Sequence, residues 1–146
     1  MTEHSLWRFS RAFPRAINER QSEDLEALID DDVDWAIYGP IGMFPFLGAR
    51  RGKAAVLEVC RQIADKIRIH RHDRETVMLG AGSASSMLRY SLTALDSNRP
   101  ISVRLAHFAQ FRAGRLLNIR VILDSFDLVE QALGRPVHLP KQALTH

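Results

Sequence analysis

The sequence predicts an α+β fold, and three observations carry that prediction. Apolar residues near the amino terminus recur at helical spacing, as Leu6, Phe9, Phe13 and Ile17 do. From residue 67 onward the pattern changes to consecutive strands separated by turn residues. Strands that follow helices, instead of alternating with them, mark the α+β class. The last two strands, within Ile101 to Leu123, form a hairpin with one apolar and one mixed face, so the sheet needs a cover on one side.

The elements follow in order. Residues 5–20 read as a helix in which Pro14 removes a backbone donor, so a kink or a late start is expected there. Ser22 is an N-cap candidate, with Glu23 and Asp24 in the first turn of a second short helix that buries Leu25, Leu28 and Ile29. Asp30, Asp31 and Asp32 end it. Val33 to Tyr38 alternates as a strand and stops at Gly39-Pro40. The loop after it carries Met43-Phe44-Pro45-Phe46-Leu47, which is costly to leave in water. It is expected to fold over an apolar opening or against a partner chain.

Lys53 to Lys66 has the clearest helical pattern, with Val56, Val59, Cys60 and Ile63 on one face. A long strand, IRIHRHDRETVML, reverses at Gly80-Ala81-Gly82 into SASSMLRYSLTAL. The turn Asp96 to Pro100 leads into the final hairpin, and Ser125 is placed to cap a last helix that Gly134 ends. One domain is expected over residues 1–134, followed by a loosely ordered tail over 135–146.

Bulk properties narrow the function classes. The 146 residues suffice for one core, and a single cysteine excludes an intramolecular disulfide and any multi-cysteine metal site. Cys60, on a buried helix face without a motif, reads as inert. Net charge is +3, but the basic residues are scattered and several sit beside acids, which argues against nucleic acid as a partner. No apolar run reaches membrane-spanning length, and MTEHSLWRFSR lacks the apolar stretch of a signal peptide, so a cytoplasmic location is expected.

The hairpin supplies the candidate chemistry. A three-residue turn, Arg112-Ala113-Gly114, with Gly114 left-handed, pairs Phe111 with Arg115. His107 then faces Ile119, Leu105 faces Val121 and Val103 faces Leu123, all on one side. If Leu95 pairs with Pro100, then Leu88, Tyr90 and Leu92 join that side, and Tyr90 becomes a diagonal neighbour of His107. A phenol and a neutral imidazole in an oily wall can orient a carbonyl or enol and move a proton. The bland alternative is that the two satisfy each other in a filled core. Trp35, Tyr38, Phe44 and Phe46 are candidates for the mouth of a lipophilic pocket, with core packing as the alternative. Arg89, Arg104, Arg120 and Asp124 fall on the mixed face, where they read as an ion-pair network fixing an interface. Asp124 ends its strand and could instead bend into the pocket mouth. His70 and His72 put two imidazoles on one strand face, with Asp73 next and His107 as the only third ligand, so no metal is assigned.

These pieces together resemble one superfamily. The early helix pair, the segment FLGARRGKAAVLEVCRQI with its G-x-x-x-G opening, and HFAQFRAGRLLNIRVILDSFDLVEQALG are similar to the SnoaL-like polyketide cyclase and ketosteroid-isomerase-related group of the nuclear transport factor 2-like superfamily. The resemblance implies a cone: a curved, largely antiparallel but mixed sheet wrapped over helices around a pocket, and a homodimer formed through the outer sheet face. His107 stands seven positions before the turn glycine, where the cyclases carry a site histidine. Their aspartate seven positions after it is Val121 here, whereas Asp124 lies ten positions after. The Arg-x-Asp pair of related epoxide hydrolases corresponds to Leu88 and Tyr90. The ketosteroid isomerases' aspartate before a proline corresponds to Gly39, and their oxyanion tyrosine to Phe13.

The reading is therefore a small-molecule-binding protein with a lipophilic pocket that includes Phe13, Trp35, Tyr38, Phe46, Leu88, Leu105, Val121 and Leu123. If it is an enzyme, it is a cofactor-independent isomerase, cyclase or hydrolase, with His107, Tyr90 and Asp124 as catalytic candidates. The alternative is a non-catalytic ligand-binding or dimerisation module of the same fold.

Overall fold

The computed structural model describes residues 2–137, so most of the expected tail lies outside the described residues. Helices α1 (Thr2–Asn18) and α2 (Glu23–Leu28) come first, followed by strands β1 (Ile29–Tyr38) and β2 (Gly48–Arg51) and helix α3 (Lys53–Lys66). Four consecutive strands follow: β3 (Ile67–Leu79), β4 (Ser83–Ala94), β5 (Arg99–Arg112) and β6 (Arg115–Leu123), and α4 (Ser125–Leu133) closes the described chain. The six strands make one curved, unclosed sheet in the order β2-β1-β6-β5-β4-β3, with β1 parallel to β6 and the other pairs antiparallel. The fold is thus α+β in class, and its sheet is mixed in direction. Among the described residues no helix is long and apolar enough to cross a membrane.

Helix α1 runs through Pro14 without ending. An interior proline costs about 3 kcal/mol. Full burial of Leu6 and Ile17 on the same helix returns roughly 1.5–3 kcal/mol each, which decides the outcome. Strand β1 begins at Ile29, earlier than expected, and absorbs the acids Asp30–Asp32 in a stretch where its register to β6 shifts. Strand β2 was not foreseen. It forms because the chain returning from the 39–47 loop lies beside β1, pairing Ala36 with Ala49. Ser22 precedes α2 without a side-chain cap bond, and Asp124, not Ser125, occupies the N-cap position of α4. Gly134 ends α4 in the left-handed conformation, as expected.

The closing hairpin departs from the expected register. Its turn has two residues, Ala113 and Gly114, both with positive φ (52° and 77°), and Arg112 pairs with Arg115. That is the type I′ pattern, whose twist suits a hairpin. The odd residue is taken up by a bulge one step later, where the partner of Phe111 is Leu116 and that of Gln110 is Asn118. His107 therefore faces Val121, and Leu105 faces Leu123. The displacement is two residues, so the faces are preserved. Between β4 and β5 the same displacement pairs Ser86 with His107, Leu88 with Leu105 and Tyr90 with Val103.

Candidate functional site

The concave face of the sheet does not close onto the helices. A cavity of about 550 Å³ remains, of the size that takes a small organic ligand. Trp35 and Ile37 of β1, Leu88, Tyr90 and Leu92 of β4, Val103, Leu105 and His107 of β5, and Ile119, Val121 and Leu123 of β6 form its sheet wall. Phe9, Ser10 and Phe13 of α1 face them, with the Phe13 ring centroid 6.2 Å from that of Trp35. Met43, Phe44, Pro45, Phe46 and Leu47 close one side, so the apolar loop does cover an apolar opening. Of the expected pocket residues, Phe13, Trp35, Phe46, Leu88, Leu105, Val121 and Leu123 line this cavity. Tyr38 does not. It is 53% exposed and pairs with Ile122 on the outer face, because strand alternation turns it away from Ile37.

The polar part of the wall is a cluster around Arg74 and His107. Arg74 Nη1 donates to Ser86 Oγ, and Nη2 donates to Ser10 Oγ at 2.7 Å. Ser86 Oγ lies 2.5 Å from His107 Nε2, and Arg74 Nη1 lies 3.4 Å from the same nitrogen. The guanidinium carbon sits 4.8 Å from the centroid of the Trp7 ring, a cation–π contact.

These distances assign the protons. Arginine has no acceptor, so Ser86 Oγ accepts from Arg74 and keeps its own hydrogen for Nε2. A guanidinium near Nε2 also favours a lone pair there. The neutral imidazole then carries its hydrogen on Nδ1, an assignment resting on the hydrogen-bond network. Burial first, and the charge of Arg74 second, push the His107 pKa down to about 4, so the ring is neutral at pH 7. Its Nδ1 is buried and has no hydrogen-bond partner among the described residues. Arg74 Nε and Trp35 Nε1 are in the same condition. All three orphaned nitrogens belong to residues lining the cavity, and in this protonation state all three are donors.

Tyr90 is not the diagonal neighbour of His107. It lies four positions from Ser86, the partner of His107, or about 13 Å along the strand. Both line the cavity, but Tyr90 packs against His72, with ring centroids 5.6 Å apart and the planes tilted by 41°. Burial pushes its phenol up to about 12, so it stays protonated and can donate. His70 and His72 do not share a face, because a bulge at His70 shifts the register between Ile69 and Arg71. His70 Nε2 lies 2.6 Å from Thr93 Oγ1, while His72 packs toward Tyr90. Among the described residues no group of three or more His, Cys, Asp or Glu is placed to hold a metal ion. Cys60 is buried, and its thiol is pushed up to about 12 by desolvation.

Asp124 is exposed and absent from the cavity lining, so it does not bend into the pocket mouth. Nor does it join the arginines of the outer face. Arg104 pairs with Glu75 at 3.1 Å, Arg120 with Asp34 at 3.0 Å, and Arg89 donates to Ser102 Oγ. The four-residue network expected on that face is absent among the described residues: Arg120 and Arg89 find partners on a neighbouring strand, and Arg104 reaches across β4 to β3.

Arg74, Ser86 and Ser10 escaped the sequence reading. Strict alternation from Ile67 and Ile69 would turn Arg71 and Asp73 inward, and only the bulge at His70 brings His72 and Arg74 to the concave side. Ser86 was hidden by the two-residue displacement of the β4–β5 register.

Known proteins share this architecture. A profile of the SnoaL-like domain matches residues 10–119. A candidate isomerase from Rhodopseudomonas palustris is 72% identical and superposes with a TM-score of 0.89, covering 92% of this chain and 100% of that one. A nuclear transport factor 2-like protein from Burkholderia xenovorans is 17% identical, with a TM-score of 0.71 over 88% of this chain and 95% of its own. An LEH-like epoxide hydrolase from M. tuberculosis is 14% identical, with a TM-score of 0.69 over 90% and 91%. The last two likenesses show the fold alone. No curated protein sequence matches the chain.

Proposed function

We propose, starting from the fact that this chain belongs to the SnoaL-like domain family, that it is an isomerase-type enzyme acting on a lipophilic small molecule by cofactor-independent proton transfer. One observation carries the reading: an apolar cavity of about 550 Å³ with a buried, neutral imidazole in its wall. The candidate isomerase from Rhodopseudomonas palustris, at 72% identity, supports the reaction class.

The chain's own groups define the roles. Ser86 holds Nε2, and the Nδ1 hydrogen of His107, buried and unpartnered among the described residues, meets a carbonyl or enol oxygen of the substrate once the surrounding side chains shift to admit it. A neutral imidazole serves as such an electrophile when its pKa is lowered. Tyr90, protonated below about pH 12, is a second donor in the wall. His107 stabilises the charge that develops on oxygen as hydroxide or a buffer base entering the open cavity takes the proton from the adjacent carbon, and Tyr90, about 13 Å further along the strand, meets a second polar group of the ligand. Asp124, exposed and outside the cavity, has no part in this scheme.

The test uses 2-acetylnaphthalene in heavy water, with hydrogen–deuterium exchange at its methyl group followed by proton NMR. The protein accelerates that exchange, and His107→Phe slows it roughly 10²-fold. Exchange at the buffer rate with bound ketone would remove the enzymatic reading. Binding without turnover is the second reading, and one observation favours it: among the described residues, the only carboxylate in the cavity lining is that of the exposed Asp96.

The same family membership supports a homodimer through the outer sheet face. Tyr38, Ile122, Ala106 and Met87 follow one another across four paired strands there, and Phe108 is exposed close by. Sedimentation equilibrium showing only a monomer at micromolar concentration would remove this assignment.

A further inference from the structure

The pocket reading above rests on shape and on His107; the charge inside the cavity carries it further. We infer that the ligand is an amphipathic monoanion, an apolar body bearing one carboxylate, and that this carboxylate supplies the counter-ion Arg74 lacks. The inference rests on the cavity being the ligand site.

Arg74 is half-buried, and each of its partners is neutral: two serine hydroxyls, an imidazole and an indole ring. No carboxylate among the described residues lies within ion-pairing distance of it, although seven other arginines have one. The acids flanking it in sequence are engaged elsewhere, Asp73 with Arg71 at 2.7 Å and Glu75 with Arg104 at 3.1 Å. A guanidinium drawn out of water without a counter-charge is costly, and hydroxyl partners recover only part of that cost. Among the described residues its Nε hydrogen is left without a partner, as is the Nδ1 hydrogen of His107 beyond it. Donors without acceptors, set around one fixed positive charge, fit a carboxylate better than a neutral ketone or an alcohol.

The charge count limits the ligand to one negative group. Among the described residues the only other cation lining the cavity is Lys66, which is exposed, and the exposed Asp96 lines it as well. The remaining wall is almost wholly aliphatic and aromatic. A dianion such as a phosphate monoester would find one charge partner and an oily surround. An aromatic or alicyclic carboxylate finds both halves of its own chemistry.

The experiment is calorimetric titration of the full chain with 2-naphthoate and with 2-acetylnaphthalene, which share shape and differ in charge. The wild-type protein is expected to bind the carboxylate at least about tenfold more tightly than the ketone. Arg74→Met, which keeps an apolar stem, is expected to weaken 2-naphthoate at least about tenfold and the ketone less than about twofold, and Arg74→Lys to keep part of the preference. Equal or tighter binding of the ketone by the wild type overturns the carboxylate assignment and leaves the pocket reading standing. So does an undiminished preference in Arg74→Met. Failure of both ligands to bind overturns the pocket reading and this one with it. If Arg74→Met does not fold, the wild-type ratio and Arg74→Lys decide.

Discussion

Two arginines on opposite faces of one sheet show how the molecule separates scaffold from site. Arg120, on the outer face of β6, is enclosed by acceptors: Asp34 Oδ2 at 3.0 Å, the Asp34 carbonyl at 3.2 Å and the Ile119 carbonyl at 3.0 Å. Its pKa is raised, first by the hydrogen bond to Asp34. Arg74, on the concave face of β3, has hydroxyls, an imidazole and a π face instead, and burial lowers its pKa. Arg120 is satisfied by the chain that carries it. Arg74 is only partly satisfied, and an incompletely satisfied charge inside a cavity marks a place where something else is meant to bind.

The largest expected effect lies on the Arg74 side and is read by acid. His107 is neutral when folded, with a pKa near 4, and takes up a proton near 6.5 when unfolded. The unfolded state therefore binds more protons between those values. The contribution of His107 to stability is complete above about pH 6.5 and declines as pH falls toward about 4, by about 3 kcal/mol in all. Asp34, across the sheet, is held below its ordinary carboxylate pKa of 3.8 by Arg120, so its contribution is lost only at lower pH still. Urea denaturation from pH 7.5 to 3 should resolve the two windows. In His107→Gln the decline above pH 4 should vanish, and the one below it should persist. An unchanged decline in that variant would mean that His107 is not buried neutral.

A smaller effect tests the serine between the guanidinium and the imidazole of the cluster. Ser86→Ala removes the acceptor of Arg74 and the donor to His107 Nε2 together. Leaving two buried polar groups unpaired should cost about 1–3 kcal/mol. The imidazole should also lose its fixed tautomer. Nitrogen-15 NMR of the ring is expected to show the Nδ1–H form in the wild type and a mixture in Ser86→Ala. An Nε2–H form in the wild type would reverse the proton assignment and make Nδ1 an acceptor.

How much of this was legible in the sequence follows from what sets each feature. The helix Lys53–Lys66, the apolar loop around Phe44 and Phe46, and the inward set Val103, Leu105 and His107 were readable, because local periodicity and solvation dictate them. The register of both hairpins was not. Placing Ala113 in the left-handed region goes against its own preference by about 1–2 kcal/mol, so a reader expects only Gly114 there, yet both have positive φ. Since the displacement was two residues, faces survived while neighbours changed, and Tyr90 lost its place beside His107 to Ser86. Arg74 was the least legible residue of all. One bulge at His70 decides its face, and nothing in the string RIHRHDRE announces a bulge.

The smallest effect belongs to the satisfied arginine and returns to the outer face. The side chains of Arg120 and Asp34 are each about one-third exposed (31% and 32%), and such pairs contribute about 0–1 kcal/mol. In a double-mutant cycle of Arg120→Met and Asp34→Asn, the coupling should fall in that range and shrink in about 0.5 M salt, where the screening length is only a few ångströms. Arg51 also approaches Asp34, at 3.6 Å, and will mask part of the loss in Arg120→Met alone. The cycle should be run at two protein concentrations. In a monomer the coupling does not depend on concentration. If a second copy covers Tyr38, Phe108 and Ile122, it also desolvates the pair beside them, and the coupling grows with concentration and resists salt. The size of this small term thus decides whether the outer face is a surface or an interface.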